Sequence, residues 1–374
     1  MKHFLLLILV CSMVLRLSAQ TFTLNYQNTD REFIVHLPTG YTAGSHLPLV
    51  FNHHGYTSNA TQQMLYSNMN ATADANNFIV VYPNGLNASW NSGFLPPYNG
   101  TSPDDVGFIS KIIDTMYTLY GIDPARVYSC GMSNGGYQSY RLACDLENRI
   151  AAIASVTGSM TTNMTSNCTL SRRVPTLEIH GTDDPTVPYN GTSSSLGTDS
   201  VFEFWADKNN CISTPETTGV ANTNTTDGST VLKIKYKTCG NGTQVWLYKV
   251  IGGGHTWPGA TINIGVTNKD INASQEIWDF FKLYTLNGSA TGIAEAAKAI
   301  ELNVYPNPAS STVNVEADEY MNNISVYNLL GEKVMERNLN STAAQLNIED
   351  LHSGIYLLSI KAGGNTYTKR FTKE

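Results

Sequence analysis

The chain has few charged residues and no cluster of basic ones. Charged side chains make up 14% of its 374 residues, and the formal net charge is −7. Nucleic-acid-binding proteins neutralise phosphates with grouped Lys and Arg side chains, so this composition argues against a nucleic-acid partner. The hydrophobic content of 41% is ordinary for a globular protein and argues against disorder as the default state.

Long apolar runs are also scarce, and one occurs at the start of the chain. Lys2 and His3 precede the apolar residues 4–15, and Ala19 ends a short exit segment. This arrangement predicts a secretory signal peptide over residues 1–19. A membrane anchor is the alternative, but the run is too short to cross a bilayer comfortably. We therefore expect an exported protein.

Metal-binding patterns are missing as well. The sequence has no C-x-x-C pair and no suitable histidine spacing, so we expect no metal. Export permits disulfides, and loss of Cys11 with the signal peptide leaves an odd number of cysteines. Cys130, in a strand-like run, is expected to be buried and free. Four cysteines allow three pairings, and we favour the two local ones, Cys144 with Cys168 and Cys211 with Cys239.

Strand-like and helix-like patterns alternate through most of the chain. Residues 47–51, 78–82 and 244–251 are typical of buried strands, whereas apolar residues recur at helical spacing between Asp105 and Tyr120. This alternation predicts an α/β catalytic domain over residues 20–287 with a mainly parallel central sheet.

The last part of the chain has a different pattern. After a predicted linker at residues 288–300, short strands and turns predict a small all-β sandwich over residues 301–374. The motifs at 304–308, 326–331 and 351–356, with the basic end at 369–373, resemble the type A sorting domain of the Bacteroidetes type IX secretion system. That resemblance implies the type IX machinery as a partner and export through the periplasm and outer membrane. A carbohydrate- or polymer-binding module is the alternative, but the region has no Trp.

Residues 131–135 read G-M-S-N-G, between a strand-like and a helix-like segment. A strand, a tight turn with Ser at its tip and a helix form the context of a nucleophile elbow. The flanking glycines leave room where side chains would collide with the neighbouring elements. Ser133 is therefore a candidate nucleophile, provided that the chain also supplies a base and an acid.

A Ser hydroxyl needs a base, most often His, to take its proton. His255 follows three glycines after a predicted strand, and we expect that loop to be mobile and open. Asp183 and Asp184 follow the predicted strand that ends at His180, and either could accept the imidazole N–H.

The remaining site residues concern the oxyanion and the substrate. We expect the backbone N–H groups of Asn134 and Tyr56 to hold the oxyanion, so that the Asn134 side chain itself matters little. His54 is a candidate substrate contact or a support for the Tyr56 loop, and a His53–His54 metal site is the competing interpretation. Trp90 and Trp257 could line a substrate cleft, with packing as the alternative role.

Several motifs resemble one family when they are taken together. They lie at 54–55, 104–109, 120–128, 131–136, 180–189 and 253–259. As a set they resemble the feruloyl esterase and polyhydroxybutyrate-depolymerase family, the LpqC-like branch of carbohydrate esterase family one. The resemblance implies an α/β-hydrolase fold without a metal or organic cofactor. It also implies Ser133 as nucleophile, His255 as base and, from the position four residues after His180, Asp184 as acid.

These observations predict a secreted serine esterase. Feruloyl or acetyl esters of plant polysaccharide are the expected substrates, and polyhydroxyalkanoate oligomers are the enzymatic alternative. A non-catalytic surface-binding protein on a hydrolase scaffold is the alternative from another class.

Overall fold

A computed structural model describes residues 19–93, 103–289, 302–328, 333–362 and 365–374. The chain divides into two compact units, residues 1–291 and residues 292–374. The predicted signal peptide, apart from Ala19, and most of the predicted linker lie outside the described residues. Within the described residues, no helix is long and apolar enough to cross a membrane.

The first unit alternates strands and helices. Its strands are β1 (Gln20–Tyr26), β2 (Thr29–His36), β3 (Leu49–His53), β4 (Ile79–Pro83), β5 (Val127–Met132), β6 (Ala152–Val156), β7 (Thr176–Gly181), β8 (Glu216–Gly219), β9 (Thr230–Tyr236), β10 (Val245–Ile251), β11 (Tyr284–Thr285) and β12 (Gly288–Ser289). Its helices are α1 (Ala60–Ser67), α2 (Met69–Asn76), α3 (Asp105–Tyr120), α4 (Asn134–Asp145), α5 (Thr162–Asn167), α6 (Thr198–Lys208) and α7 (Ala273–Phe281).

The central sheet is ten-stranded in the order β1-β2-β4-β3-β5-β6-β7-β10-β9-β8. The strands from β4 to β10 in this order are parallel, and the edge strands on both sides are antiparallel. The next strand in the chain, β4, pairs with one side of β3, and the strand after it, β5, pairs with the other side. In open α/β sheets, ligands bind at the carboxyl ends of strands beside such a reversal of order. The expected α/β-hydrolase fold is confirmed.

Two apolar layers cover the faces of the sheet. Helix α3 packs Phe108, Ile112 and Met116 into one layer, and α7 packs Ile277 and Phe281 into the other. Every residue of β5 is buried, as expected for a parallel strand that is covered on both faces. The rigid end of β5 therefore holds the predicted nucleophile.

Each disulfide joins two cysteines that are neighbours in the order of the chain. Cys144 bonds to Cys168, Cys211 bonds to Cys239, and Cys130 is free and buried. Both favoured disulfides are therefore present in the structure.

The second unit is a small antiparallel β domain. Its strands are β13 (Leu302–Tyr305), β14 (Thr312–Tyr327), β15 (Lys333–Asn347), β16 (Gly354–Ala362) and β17 (Asn365–Lys373). The register of β14 shifts between Glu316 and Met321, so its first part pairs with β13 and its second part with β16. Val313, Ile324 and Leu358 lie in its apolar core.

Candidate active site

Ser133 lies between the end of β5 and the first residue of α4. Its backbone has φ 55° and ψ −120°, a conformation that a residue with a side chain rarely adopts. The Ser133 N–H donates to the Val156 carbonyl at 2.8 Å, which fixes the turn against β6. The turn therefore has the strained geometry that a nucleophile elbow requires.

Close approach explains the glycines around this turn. A Cβ at Gly131 would lie 2.7 Å from the His53 carbonyl oxygen, and one at Gly135 would lie 2.3 Å from it. A Cβ at Gly55 would lie 3.5 Å from the Ser133 Cβ. The elbow and the loop after β3 thus pack directly together at the point where the strand order reverses.

Asp184 and His255 form a close pair. Asp184 Oδ2 accepts a hydrogen bond from His255 Nδ1 at 2.7 Å, and Oδ1 accepts from the Thr186 and Val187 N–H groups at 2.8 Å. The Asp184 side chain is 0% exposed, and that of His255 is 18% exposed. Since Nδ1 donates to the carboxylate, Nε2 is the ring nitrogen that can accept a proton.

The electrostatics of Asp184 favour its ionised form. Burial would raise the pKa of this carboxyl, but the hydrogen bonds from His180 and His255 outweigh burial and hold the pKa well below its usual range. Asp183, by contrast, is exposed, and its Oδ1 accepts from the Thr182 hydroxyl at 2.9 Å. The structure thus places Asp184, and not Asp183, against the imidazole.

Backbone hydrogen bonds join the loops after β7 and β10. The Asp183 N–H donates to the Gly253 carbonyl at 3.0 Å, and the Gly254 N–H donates to the Val266 carbonyl at 3.0 Å. A Cβ at Gly181 would lie 2.2 Å from the Gly253 carbonyl oxygen. The glycine-rich segment is thus bonded on both sides, and the close approach of its Gly253 carbonyl requires glycine at position 181, while the mobility of the segment stays a prediction.

Both the backbone N–H and the side chain of Asn134 have a place in the site. As the first residue of α4, it has an N–H that no carbonyl of the helix can accept, which suits an oxyanion donor. Its side chain is buried, accepts from the Trp90 N–H at 2.7 Å and donates to the Ser92 hydroxyl at 2.9 Å. The side chain thus anchors the segment that contains Trp90, and the expectation that its substitution has little effect stays a prediction.

His54 braces the loop that contains Tyr56. Its Nδ1 donates to the Gly55 carbonyl at 2.7 Å, and its Nε2 accepts from the Gly85 N–H at 2.9 Å. Burial lowers the pKa of His54 to about 4, so the ring is neutral. Both ring nitrogens are engaged within the protein, which leaves neither for a substrate or a metal and corrects the substrate-contact role. The residue Tyr56 is 56% exposed.

The two tryptophans predicted for the cleft lie in the interior. Trp90 is 0% exposed and donates from Nε1 to the His54 carbonyl at 2.9 Å. Trp257 is 1% exposed and donates from Nε1 to the Ser274 hydroxyl at 3.2 Å. Neither ring can meet a substrate from these positions, so their substrate-contact roles are corrected to packing roles.

A buried pair beside Asp184 was missed in the sequence. Glu178 and His180 lie on β7 with their side chains 2.9 Å apart, and His180 Nε2 lies 3.5 Å from Asp184 Oδ2. The available signal was a carboxylate two residues before a histidine in an otherwise apolar strand, since residues i and i+2 share one face.

Two family models match the chain. Residues 102–198 match the phospholipase/carboxylesterase family, and residues 303–374 match the secretion system C-terminal sorting domain. These matches confirm both resemblances in outline, an esterase-related hydrolase domain and a sorting domain.

Curated relatives agree with the first match. The chain is 28% identical to the bifunctional acetylxylan esterase/xylanase XynS20E of Neocallimastix patriciarum, over 71% of this chain and 35% of that protein. It is 28% identical to feruloyl esterase B of Piromyces equi, over 68% of this chain and 46% of that protein. It is 29% identical to the putative esterase NocK of Nocardia uniformis subsp. tsuyamanensis, over 62% and 73%. The match thus spans less than half the length of the first two relatives.

Proposed function

We propose that the first unit is a serine esterase with Ser133 as nucleophile, His255 as general base and Asp184 as the orienting acid. The observation that carries the proposal is the strained Ser133 turn at the reversal of strand order, in a unit that also holds the 2.7 Å pair of Asp184 and His255. The esterase names of the relatives support the same reaction class.

The reaction begins with proton transfer. His255 Nε2 takes the Ser133 hydroxyl proton as Oγ attacks the ester carbonyl carbon, and Asp184 stabilises the imidazolium through Nδ1. The N–H groups of Asn134 and Tyr56 donate to the oxyanion of the tetrahedral intermediate. His255 then gives the proton to the leaving alcohol, and the acyl group remains on Oγ.

Deacylation repeats these steps with water. His255 removes a proton from a water molecule that attacks the acyl carbon, and it returns this proton to Ser133 Oγ as the second intermediate collapses to the carboxylic acid. Each step uses protein side chains and backbone donors of the first unit.

We propose feruloyl or acetyl esters of plant polysaccharide as the substrates. The names of the first two relatives support this class, and the exposed Tyr56 ring, beside Gly55 and Ser133, could contact an aromatic acyl group. A specific observation favours hydroxyalkanoate oligomers as the second candidate. Ile262, Ile264 and Val266 are exposed in the segment that bonds to the His255 loop, and aliphatic side chains suit a polyester.

A release assay tests both proposals. Methyl ferulate, acetylated xylan and a hydroxybutyrate oligomer are compared as substrates for the wild-type protein and Ser133→Ala, with a fluorophosphonate as active-site label. We expect Ser133→Ala to lose activity on the order of a million-fold, as triad deletion does in another hydrolase. Substantial residual activity would refute the nucleophile, and absence of wild-type labelling would favour a non-catalytic scaffold.

The sorting domain indicates export by type IX secretion to the cell surface or the outside. We propose that residues 1–19 direct the chain to the periplasm first and that residues 301–374 then engage the type IX machinery. In the native host, deletion of 301–374 should retain esterase activity in the periplasm. Unchanged extracellular activity would contradict this order.

A further inference from the structure

The interior of the first unit contains an ionisable pair that the proposed mechanism does not use. Glu178 and His180 lie on one face of β7, with side chains 4% and 1% exposed. Ionisable side chains are almost never buried this fully unless they have partners. Its position next to the proposed acid lets any charge on the pair act on Asp184.

Both ring nitrogens of His180 face acceptors. Nδ1 lies 2.9 Å from Glu178 Oε1, and Nε2 lies 2.9 Å from the Val187 carbonyl oxygen. Asp184 Oδ2 also faces Nε2, at 3.5 Å. A carbonyl can only accept, so Nε2 carries a hydrogen.

The surroundings favour a second hydrogen, on Nδ1. The ring lies between two carboxylates, and an opposite charge within about 4–6 Å stabilises the charged form of a histidine. Burial alone would lower the pKa of His180, but the hydrogen bonds to Asp184 and Glu178 outweigh it and raise the pKa to about 10.

The other polar groups around the pair do not reverse this balance. Burial raises the pKa of the Glu178 carboxyl, and the hydrogen bonds from His180 and from the Tyr140 hydroxyl, which donates to Oε2 at 2.8 Å, act against that rise and favour the carboxylate. The Tyr189 ring contacts the imidazole edge-on with centroids 5.9 Å apart. Further groups near the pair are Ser155 on β6, Tyr137 on α4, His255 after β10, and Lys249 on β10, whose ammonium lies over the Tyr189 ring and 3.6 Å from Asp199 Oδ2.

We propose that His180 is a positioning residue, a permanent imidazolium that Glu178 anchors and that shares the Asp184 carboxylate with His255. This inference rests on the proposed triad. The positive charge beside Asp184 Oδ2 weakens the attraction between that carboxylate and a protonated His255. His255 therefore loses its proton more readily, and the esterase retains a competent base at lower pH.

Two variants test this role. His180→Gln removes the positive charge but leaves the Glu178 carboxylate buried without a counter-charge. The double variant Glu178→Gln/His180→Gln removes both charges and serves as the matched variant. Activity on a p-nitrophenyl ester is measured against pH, normalised to the sites that a fluorophosphonate labels. We expect the acid limb of kcat/KM to move to higher pH by about half a unit or more in both variants, with KM little changed. An unmoved acid limb in the folded double variant would overturn the proposal.

A spectroscopic measurement needs no variant to fold. In wild-type protein labelled with ¹⁵N-histidine, we expect one imidazole to show two protonated ring nitrogens at pH 8.5, where a free histidine is neutral. A spectrum in which every imidazole is neutral would overturn the proposal. Failure of the proposed esterase function would instead appear as absence of Ser133 labelling in the wild type, and it would leave this spectrum unchanged.

Discussion

Buried histidines lie at the end of β3 and in the loop after it, and another lies on β7, yet their pKa values shift in opposite directions. Burial lowers the pKa of His53 to about 3 and that of His54 to about 4, so the β3 loop is neutral. His180, on β7, has its pKa raised to about 10. Burial opposes the charged form in all three, so burial alone cannot explain the difference.

The difference comes from the hydrogen-bonding partners. His53 meets the Ser129 hydroxyl, and His54 meets a backbone N–H and a carbonyl, so neither has a carboxylate against its ring. His180 lies between Glu178 and Asp184. We infer that the β3 loop is built for neutral backbone donation to an oxyanion, whereas the β7 loop is built to hold charge.

Within the two loops, the largest expected effect comes from removing the Asp184 carboxylate, which faces both His180 and His255. Asp184→Asn keeps the shape of the side chain, but its amide cannot hold His255 in the useful tautomer, and it leaves His180 without one counter-charge. We expect kcat to fall by about 10⁴-fold, as in other hydrolases with this change. Steady-state kinetics on a p-nitrophenyl ester measure the loss, and a decrease of less than tenfold in the folded variant would remove Asp184 from the triad.

The next largest effect on kcat is expected from a substitution of His54, in the loop after β3. His54→Leu leaves the Gly85 N–H and the Gly55 carbonyl without their partners, so the Tyr56 N–H should lose its position at the oxyanion. We expect kcat to fall by about a hundredfold, the cost of one misplaced oxyanion donor, with KM nearly unchanged.

His54→Gln provides the control for that variant. Its amide can accept from the Gly85 N–H, so the loss should be smaller than for His54→Leu. If both variants keep wild-type kcat, the loop after β3 does not contribute to the oxyanion site.

The contributions of His53 and His180 to the free energy of unfolding should also change with pH in opposite directions. His53 has a folded-state pKa of about 3, below the 6.5 of a free histidine, so its stabilising contribution is lost as the pH falls from 6.5 toward 3. For His180 the folded-state pKa of about 10 lies above 6.5, so its contribution is complete below pH 6.5 and is lost as the pH rises toward 10.

Denaturant unfolding between pH 4.5 and 9.5 measures both contributions. We expect His53→Met to flatten the acid side of the stability profile by up to about 1.4 kcal/mol per pH unit. Glu178→Gln/His180→Gln should reduce the slope on the alkaline side of the stability profile by a similar amount. Profiles parallel to that of the wild type on both sides would show that the histidines of the two loops do not differ in charge.

The contrast also shows what the sequence could and could not predict. The Ser133 turn and an acid and a base after later strands were predictable, because carboxyl ends of parallel strands share one edge and local patterns identify the strands. The choice of Asp184 over Asp183 rested on the family resemblance. The buried Trp90 and Trp257 were not, because a sequence does not indicate whether an aromatic ring faces a cleft or the interior. The charge of His180 depends on Asp184, and that proximity exists only after the loop beyond β7 has folded.

The smallest expected effect belongs to the neighbouring aspartate. Asp183 is exposed, and its carboxylate accepts from the Thr182 hydroxyl without contacting either histidine. Asp183→Asn removes one negative charge from the β7 loop and retains an oxygen that accepts the same hydrogen bond. We expect kcat and KM to stay within about twofold of the wild type, since a solvated charge interacts weakly with the site. A large loss with Asp183→Asn and a small one with Asp184→Asn would reverse the assignment of the acid, and the β7 loop would then carry its functional charge at the surface.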